Sequence, residues 1–326
     1  MKKCLITGGA GFVGFHLAKS LLESKKSVYL FDNFTRGKQD DDYKELMKND
    51  NVFLLNRDIT DPSSFEDLNN FDEVYHFAAL NGTENFYNYP DKVIKVGVIG
   101  TINLLDWFKN QNKGILVFSS SSETYAGAEA LLGKNFPIPT PENIPLVISD
   151  PRNTRWSYGG SKILGEILMF SYMKKYELAD RIAIIRFHNI YGPRMGFEHV
   201  IPQFIERIIR RENPFQIFGS NYTRAFCYVD DAVKSINCIV ENSKSMNKII
   251  NIGKDDEEIK IIDLAKKLFK IENYEVPIIE KKSPEGSVLR RCPDISKLKD
   301  LGFTPTISLD SGLSKTYKWY NKYYKM

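Results

Sequence analysis

Tyr158-Gly159-Gly160-Ser161-Lys162 sets a phenol and an ammonium four residues apart, on a segment whose helical pattern runs to about Lys175. On a helix that spacing turns both groups to one face. A free tyrosine has a pKa of about 10 and is a poor base at neutral pH. A neighbouring Lys cation, with a positively charged ring bound beside it, favours the phenolate and brings it toward the working range. Such a pair suits removal of a hydroxyl proton while a hydride leaves the same carbon. The pattern alone is common, and Tyr172–Tyr176 shows how ordinary aromatic–basic helix faces are in this chain. A second polar cluster, Ser119-Ser120-Ser121-Ser122-Glu123, closes an apolar run and by itself reads as the polar start of a loop.

The apolar run Lys3–Thr7 leads into Gly8-Gly9-Ala10-Gly11-Phe12-Val13-Gly14 and then an amphipathic stretch. Glycines there permit a tight turn, close approach of backbone to a diphosphate and close helix–strand packing. The free N–H groups and partial positive charge of the following helix then face the phosphates. Asp32, at the end of the second apolar run, can accept hydrogen bonds from both hydroxyls of a ribose and repels a 2′-phosphate. Together they indicate a dinucleotide site that favours NAD over NADP, with Arg36 and Lys38 close enough to soften the discrimination.

Elements able to position these groups follow from the alternation of short apolar runs with longer amphipathic stretches, a β-α pattern with a parallel sheet. The strands expected are Lys3–Thr7, Ser27–Asp32, Val52–Asn56, Glu73–Phe77, Gly114–Ser119 and Arg181–Arg186, with helices such as Val13–Ser24 and Asp91–Asn110 between them. The stretch Asn135–Asp150 reads as a loop, either covering a site or running over the surface. At 326 residues the chain fits one large domain and a smaller one. Phe226–Val240 looks like a return to the first, so the second is expected to be discontinuous. The net charge of +4, from 45 basic and 41 acidic residues, is too balanced for a nucleic-acid binder. No apolar run approaches a membrane span, and the short run after Met1-Lys2-Lys3 reads as a strand rather than a signal peptide. Cys4, Cys227, Cys238 and Cys292 lack metal-like spacing. Reduced thiols in a cytoplasmic protein without a metal are expected.

The G-x-x-G-x-x-G spacing resembles the short-chain dehydrogenase/reductase family, in its extended branch acting on nucleotide sugars. Arg57-Asp58-Ile59 resembles that family's adenine-holding segment, and His76-Phe77-Ala78-Ala79 its cofactor-lining turn. One departure is Gly97, where the family usually has Asn supporting the strand and helix beside the cofactor. Ser119–Tyr125 is similar to the family's Ser/Thr-rich strand end; counting back from Tyr125, Ser121 takes the place of the catalytic Ser/Thr. Arg186-Phe187-His188-Asn189-Ile190-Tyr191-Gly192-Pro193-Arg194 is similar to R-x-x-N-x-Y-G-P-R. Thr223–Asp231 resembles R-x-F-x-Y-V-x-D and Arg290–Ile295 the closing R-x-P-D-I. His188 stands where many relatives carry an aromatic residue and can simply pack.

The resemblance implies a Rossmann doubly wound parallel sheet with a smaller, discontinuous C-terminal α/β substrate domain. Residues 1–187 and about 226–254 would bind NAD, and residues 188–225 and 255–326 the nucleotide sugar. Catalysis would fall to Ser121, Tyr158 and Lys162, with Ser122 and Glu123 beside the sugar. NAD, tightly held, would contact Gly8, Gly11, Phe12, Val13, Gly14, Asp32, Asn33, Asp58, Ile59, Phe77, Ala78, Ala79, Tyr158 and Lys162. Asn189, Arg194, Arg224 and Arg291 would meet the substrate, arginines suiting a diphosphate through their planar fork. The reaction implied is oxidation at carbon 4 of the sugar, with NAD recycled in an epimerisation, decarboxylation or dehydration that serves surface-polysaccharide or sugar-nucleotide biosynthesis. Many 4,6-dehydratases have Asp-Glu where this chain has Ser122-Glu123; glucuronate decarboxylases and mannose dehydratases of this branch resemble it in having Ser-Glu. Arg155-Trp156-Ser157-Tyr158 resembles a decarboxylase, whereas the segment from Arg186 to Tyr191 resembles a 3,5-epimerase. The alternatives are a net 4-dehydrogenase releasing a keto-sugar and a non-enzymatic NAD sensor. A homodimer (or dimer of dimers) through Asp91–Asn110 and Tyr158–Lys175 is implied by the same resemblance.

Overall fold

In the computed structural model, which describes residues 1–283 and 288–324, the apolar runs form one parallel sheet. Its strands are β1 (Lys3–Thr7), β2 (Ser27–Phe31), β3 (Val52–Leu55), β4 (Glu73–His76), β5 (Ile115–Ser121), β6 (Ile182–Phe187) and β7 (Ile249–Ile252). They lie in the order β7-β6-β5-β4-β1-β2-β3. The chain begins mid-sheet and reverses direction between β1 and β4, so a crevice opens beyond their carboxyl ends, where doubly wound sheets bind ligands. Leu5, Val28, Leu30, Val117 and Ile184 are wholly buried, as strands covered on both faces require. Strand ends differ from expectation by one or two residues. β5 extends to Ser121, which keeps the serine run in the sheet rather than in a loop.

Around the sheet lie α1 (Phe12–Glu23), α2 (Asp41–Leu46), α3 (Thr83–Asn88), α4 (Pro90–Ile94), α5 (Gly100–Phe108), α6 (Ala126–Leu132) and α7 (Trp156–Lys175). The single helix expected over Asp91–Asn110 is broken by one π-helical turn, Lys95–Ile99. Gly97 lies in that turn, and a Cβ on it would come within 2.7 Å of Ser161 Oγ on α7. Thr101 Oγ1 donates to the Gly97 carbonyl (2.6 Å) and secures the widened turn. Gly97 in place of the usual Asn thus permits a close helix crossing beside Tyr158 and Lys162.

The second half supplies α8 (Val200–Ile209), α9 (Val229–Glu241), α10 (Ile261–Glu272), α11 (Ser296–Asp300) and α12 (Leu309–Tyr324). Helix α9 packs against α1, with Asn237 Nδ2 donating to Ser20 Oγ (2.9 Å). Among the described residues, short strands build three small sheets, Thr223–Ala225 between Glu258–Lys260 and Arg290–Arg291, Phe215–Phe218 beside Ile278–Lys281, and Ile190–Tyr191 beside Cys227–Tyr228. No regular element occupies 136–155. Instead the loop is tied to both halves: Thr140 N donates to Cys292 O (2.9 Å), and Asn251 N of β7 donates to Glu142 Oε1 (2.9 Å). The four cysteines are free thiols.

Helix α7 is seated by two adjacent residues. Gly165 abuts Phe118, whose ring would lie 2.4 Å from a Cβ there. Glu166 takes two hydrogen bonds from the buried Arg186 guanidinium of β6, at 2.8 and 2.6 Å, and one from Ser120 Oγ of β5. Arg186 Nη1 continues to Tyr125 Oη (2.7 Å) and the Glu142 carbonyl (3.0 Å), so helix, sheet and loop meet at one buried cation. Because removal of one partner strands a buried charge, Glu166→Ala should lower unfolding stability by about 3–5 kcal/mol in urea titrations. Gly165→Ala, an overpacking change, should cost about 1–3 kcal/mol.

Candidate active site

Beyond the strand ends lies a cleft of about 1180 Å³. Its floor is the glycine turn. Gly8 has φ +71°, and a Cβ on it would meet Ala78 N at 2.9 Å; one on Gly14 would fall 2.3 Å from Gly8 O. Only glycine fits either position. Gly11 caps α1 with no side chain over the helix end. The first-turn amides of Phe12, Val13 and Gly14 therefore stand without intrahelical acceptors beside the cleft. This cradle fits a dinucleotide diphosphate. Asp32 lies at the cleft wall with its carboxylate oriented by Ala10 N (3.0 Å) and Phe34 N (2.8 Å). Burial raises its pKa while those two amides oppose the rise. Asn33 Nδ2 donates to Asp58 Oδ2 (3.2 Å), and Asp58, Ile59, Phe77, Ala78 and Ala79 line the same side.

β5 and α7 bring the catalytic candidates together. Tyr158 hydrogen-bonds Ser121, and Phe86 of α3 stacks on its ring at 5.0 Å. Burial pushes the phenol up to about 12, against the lowering effect of the Ser121 bond. Lys162 Nζ donates to Ser119 O (2.7 Å) and lies 5.7 Å from the Tyr158 ring centroid. Burial depresses Lys162 to about 8, with Glu166 pulling the other way. The ammonium thus lies against the Tyr158 ring and is held by the Ser119 carbonyl of β5.

Glu123 follows in the turn after β5. Its carboxylate is held by Arg155 Nη2 (2.8 Å) and Nε (3.3 Å) on one oxygen and by Arg291 Nη1 (2.6 Å) on the other. Burial alone would raise its pKa, but the charges and hydrogen bonds of Arg291 and Arg155 outweigh it and bring it to about 2. Ser122 beside it is buried. Arg155, three residues before Tyr158, was not among the expected site residues, although its place just ahead of α7 was a usable signal.

The other expected substrate residues separate. Asn189, at φ +43°, lines the cleft and donates to Ala225 O (3.0 Å). Arg224 spends its guanidinium on the carbonyls of Thr223 (2.7 Å), Val288 (2.7 Å) and Leu289 (3.3 Å) and does not line the cleft. Burial and Arg291 push it down to about 10. Arg194 is at the cofactor end, not the sugar end. It donates to Asp40 Oδ2 (2.8 Å), Lys38 O (2.9 Å) and Ala10 O (3.4 Å) over the glycine turn. His188 is buried, paired with Asn251 Oδ1 (3.0 Å), and depressed to about 3 by burial. It packs, neutral, outside the cleft.

Residues 4–253 match the model of the NAD dependent epimerase/dehydratase family. The chain belongs to that family. Across 98% of both chains it is 33% identical to a UDP-N-acetyl-alpha-D-glucosaminuronate decarboxylase of Bacillus cytotoxicus. It is 34% identical to UDP-glucuronic acid decarboxylase 5 of Arabidopsis thaliana, over 95% of this chain and 87% of that one. Among solved structures, a UDP-glucuronic acid 4-epimerase from Bacillus cereus, in complex with UDP-glucuronic acid and NAD, superposes with a TM-score of 0.86 at 27% identity, covering 99% and 100% of the two chains. A UDP-glucose 4-epimerase from Thermotoga maritima gives 0.85 at 30% identity, with 99% of each chain covered. This family member is an NAD-dependent enzyme of the epimerase, decarboxylase and dehydratase class, and the glycine cradle with Asp32 fits that cofactor.

The paired charge of Glu123 generates a pH-dependent prediction. Its folded pKa of about 2 lies below the ordinary 4.5, so its stabilising pairing is complete above about 4.5 and is lost as pH falls toward 2. The stability difference between wild type and Glu123→Gln, followed by urea unfolding from pH 7 to pH 3, should therefore shrink on the acid side of 4.5.

Proposed function

We propose that this protein decarboxylates a UDP-hexuronic acid through a 4-keto sugar, regenerating its NAD. The observation that carries the reading is the Arg155–Glu123–Arg291 cluster beside Ser121 and Tyr158. A 4,6-dehydratase needs an acid for the carbon-6 hydroxyl and a free base at carbon 5. Here Ser122 offers no titratable group, and Glu123 is tied up by two cations. Loss of CO₂ needs neither. It needs a ketone β to a carboxylate and a cationic place for that carboxylate, which Arg155 and Arg291 provide. Relatives named as decarboxylases of UDP-uronic acids agree with this choice.

NAD, held on the Gly8–Gly14 turn and Asp32, would supply the hydride acceptor for carbon 4 and, once reduced, the donor that restores it. Tyr158 removes the proton of the carbon-4 hydroxyl, and Ser121 hydrogen-bonds the same oxygen as charge develops there. The resulting 4-keto acid loses CO₂ as the bond between carbons 5 and 6 breaks and its electrons pass into the carbon-4 carbonyl. Ser121 and Tyr158 then stabilise the enolate oxygen. The substrate carboxylate competes with Glu123 for the two guanidiniums. Carbon 5 of the enolate then takes its proton from water in the cleft, and Glu123 returns to the two guanidiniums as CO₂ leaves. Tyr158 finally returns its proton to the reduced oxygen.

UDP-glucuronic acid, UDP-N-acetylglucosaminuronic acid and UDP-glucose, incubated separately with the protein, should give a UDP-pentose and CO₂ from an acid only, as read by mass spectrometry. A 4-epimer with no CO₂ would replace this reading by epimerisation, and stoichiometric NADH with a keto-sugar by net oxidation. Tyr158→Phe should lose on the order of 10²-fold or more in turnover while still copurifying with NAD.

A homodimer is part of the proposal, as is a cytoplasmic role in supplying sugar nucleotides for surface polysaccharide. Helices α4 and α7 pack side by side and leave Ile94, Ile99, Leu164, Ile167 and Phe170 exposed. Continuous apolar faces of this kind are normally covered. Light scattering should find a dimer, and Ile167→Glu should shift it to monomer.

A further inference from the structure

The loop between Asp32 and α2 has no regular structure, yet it runs across the glycine turn. Lys38 N approaches Ala10 O (3.4 Å), and a Cβ on Gly37 would lie 2.8 Å from both Ala10 Cβ and Asp32 Oδ1. Residues 35–38 form one lip of the cofactor end of the cleft; residues 195–199 form the facing lip.

What holds the first lip comes from far away in sequence. Trp319 Nε1 of α12 donates to Asp42 Oδ2 (2.6 Å). Trp319 stacks on Tyr323 at 5.4 Å, and the Lys38 ammonium lies over the Tyr323 ring (5.6 Å) and the Phe197 ring (5.1 Å). Phe197 itself packs edge-on against Tyr320 at 5.4 Å. Arg36 pairs with Glu198 across the two lips (3.6 Å), and Arg194 is bonded to Asp40 and Lys38 as described above. Lys38 is thus caged by aromatic rings from both the facing lip and the last helix, an arrangement in which a cation is attracted to each ring face. Asp40, Glu198, Arg194 and Arg36 are the charged groups facing it.

We propose that Lys38 and its cage of Phe197 and Tyr323, backed by Trp319, are cofactor-positioning residues: the C-terminal helix clasps the loop over the glycine turn and sets how slowly NAD leaves. None of these side chains reaches the reacting atoms. They act by keeping the two lips joined, so a dinucleotide seated on Gly8–Gly14 and Asp32 departs only when the Lys38 cage opens. Recycling of a retained cofactor is then a property of a helix far from Tyr158 in the chain.

The test is NADH dissociation from the full-length protein, followed by loss of bound-NADH fluorescence on displacement with excess NAD. Lys38→Gln and Tyr323→Leu should each speed release at least tenfold and lower the NAD copurified per chain. Tyr323→Phe, which keeps the ring, should restore wild-type release, and Lys318→Ala on the exposed side of α12 should leave it unchanged. Turnover of the variants should recover when NAD is added in excess, which separates loosened cofactor from a damaged active site. Should Tyr323→Leu fail to fold, Lys38→Gln alone decides. Release within twofold of wild type in Lys38→Gln with native circular dichroism would overturn the proposal, as would equal acceleration in Lys318→Ala.

Discussion

The structure depends on the buried ion pair between Glu166 and Arg186. A guanidinium that is 1% exposed cannot be left without partners in a protein interior, since desolvation of a charge costs several kcal/mol. Here every direction is answered: Glu166 of the catalytic helix, Tyr125 of the turn after β5, and the Glu142 carbonyl of the long loop. Tyr125 in turn donates to Asn251 of β7, whose amide reaches Thr140 O and Asp294 O at 3.0 Å. One cation therefore fixes α7 relative to β5, β6 and β7 and anchors the covering loop. Lys162 and Tyr158 sit one and two helical turns before Glu166, and Ser121 follows Ser120 on β5, so their mutual geometry is inherited from this knot.

Charge in the cleft is arranged on the same principle, with compensation close at hand. Arg155 and Arg291 converge on Glu123, and Arg224 stands behind them with its donors spent on carbonyls. The cluster is neutralised only in part by Glu123, which leaves net positive charge at that end of the cleft. At the other end, Arg194 stabilises the loop over the glycine turn instead of facing the sugar. The two ends of the cleft therefore use arginine differently, one as a ligand for a carboxylate and the other as a structural tie.

Much of this was legible in the chain. Gly8 and Gly14 can be read because no other residue survives backbone approaches of 2.9 and 2.3 Å. Tyr158 and Lys162 are readable because helix geometry converts a spacing of four into a shared face. Strand positions came through because runs buried on both faces must be apolar throughout. The π-turn at Lys95–Ile99 was not legible, as it arises from packing of Gly97 against Ser161, a contact between segments more than sixty residues apart. Arg194 was misplaced for the same reason: a guanidinium next to Gly-Pro looks identical in sequence whether it meets a phosphate or an aspartate.

The amino-acid sequence by itself determined the doubly wound sheet, the glycine turn that fits a dinucleotide and the shared helix face of Tyr158 and Lys162, all of which rest on local spacing and on which residue types a backbone geometry tolerates. Only the tertiary structure decided which charges meet. The pairing of Glu123 with Arg155 and Arg291, the bond from Lys162 to the Ser119 carbonyl, and the caging of Lys38 by Phe197 and Tyr323 each join distant segments. Hydrogen-bonded ion pairs and cation–ring contacts need their groups within a few ångströms, and their strength is set by burial, so they exist only once the chain has brought those segments together.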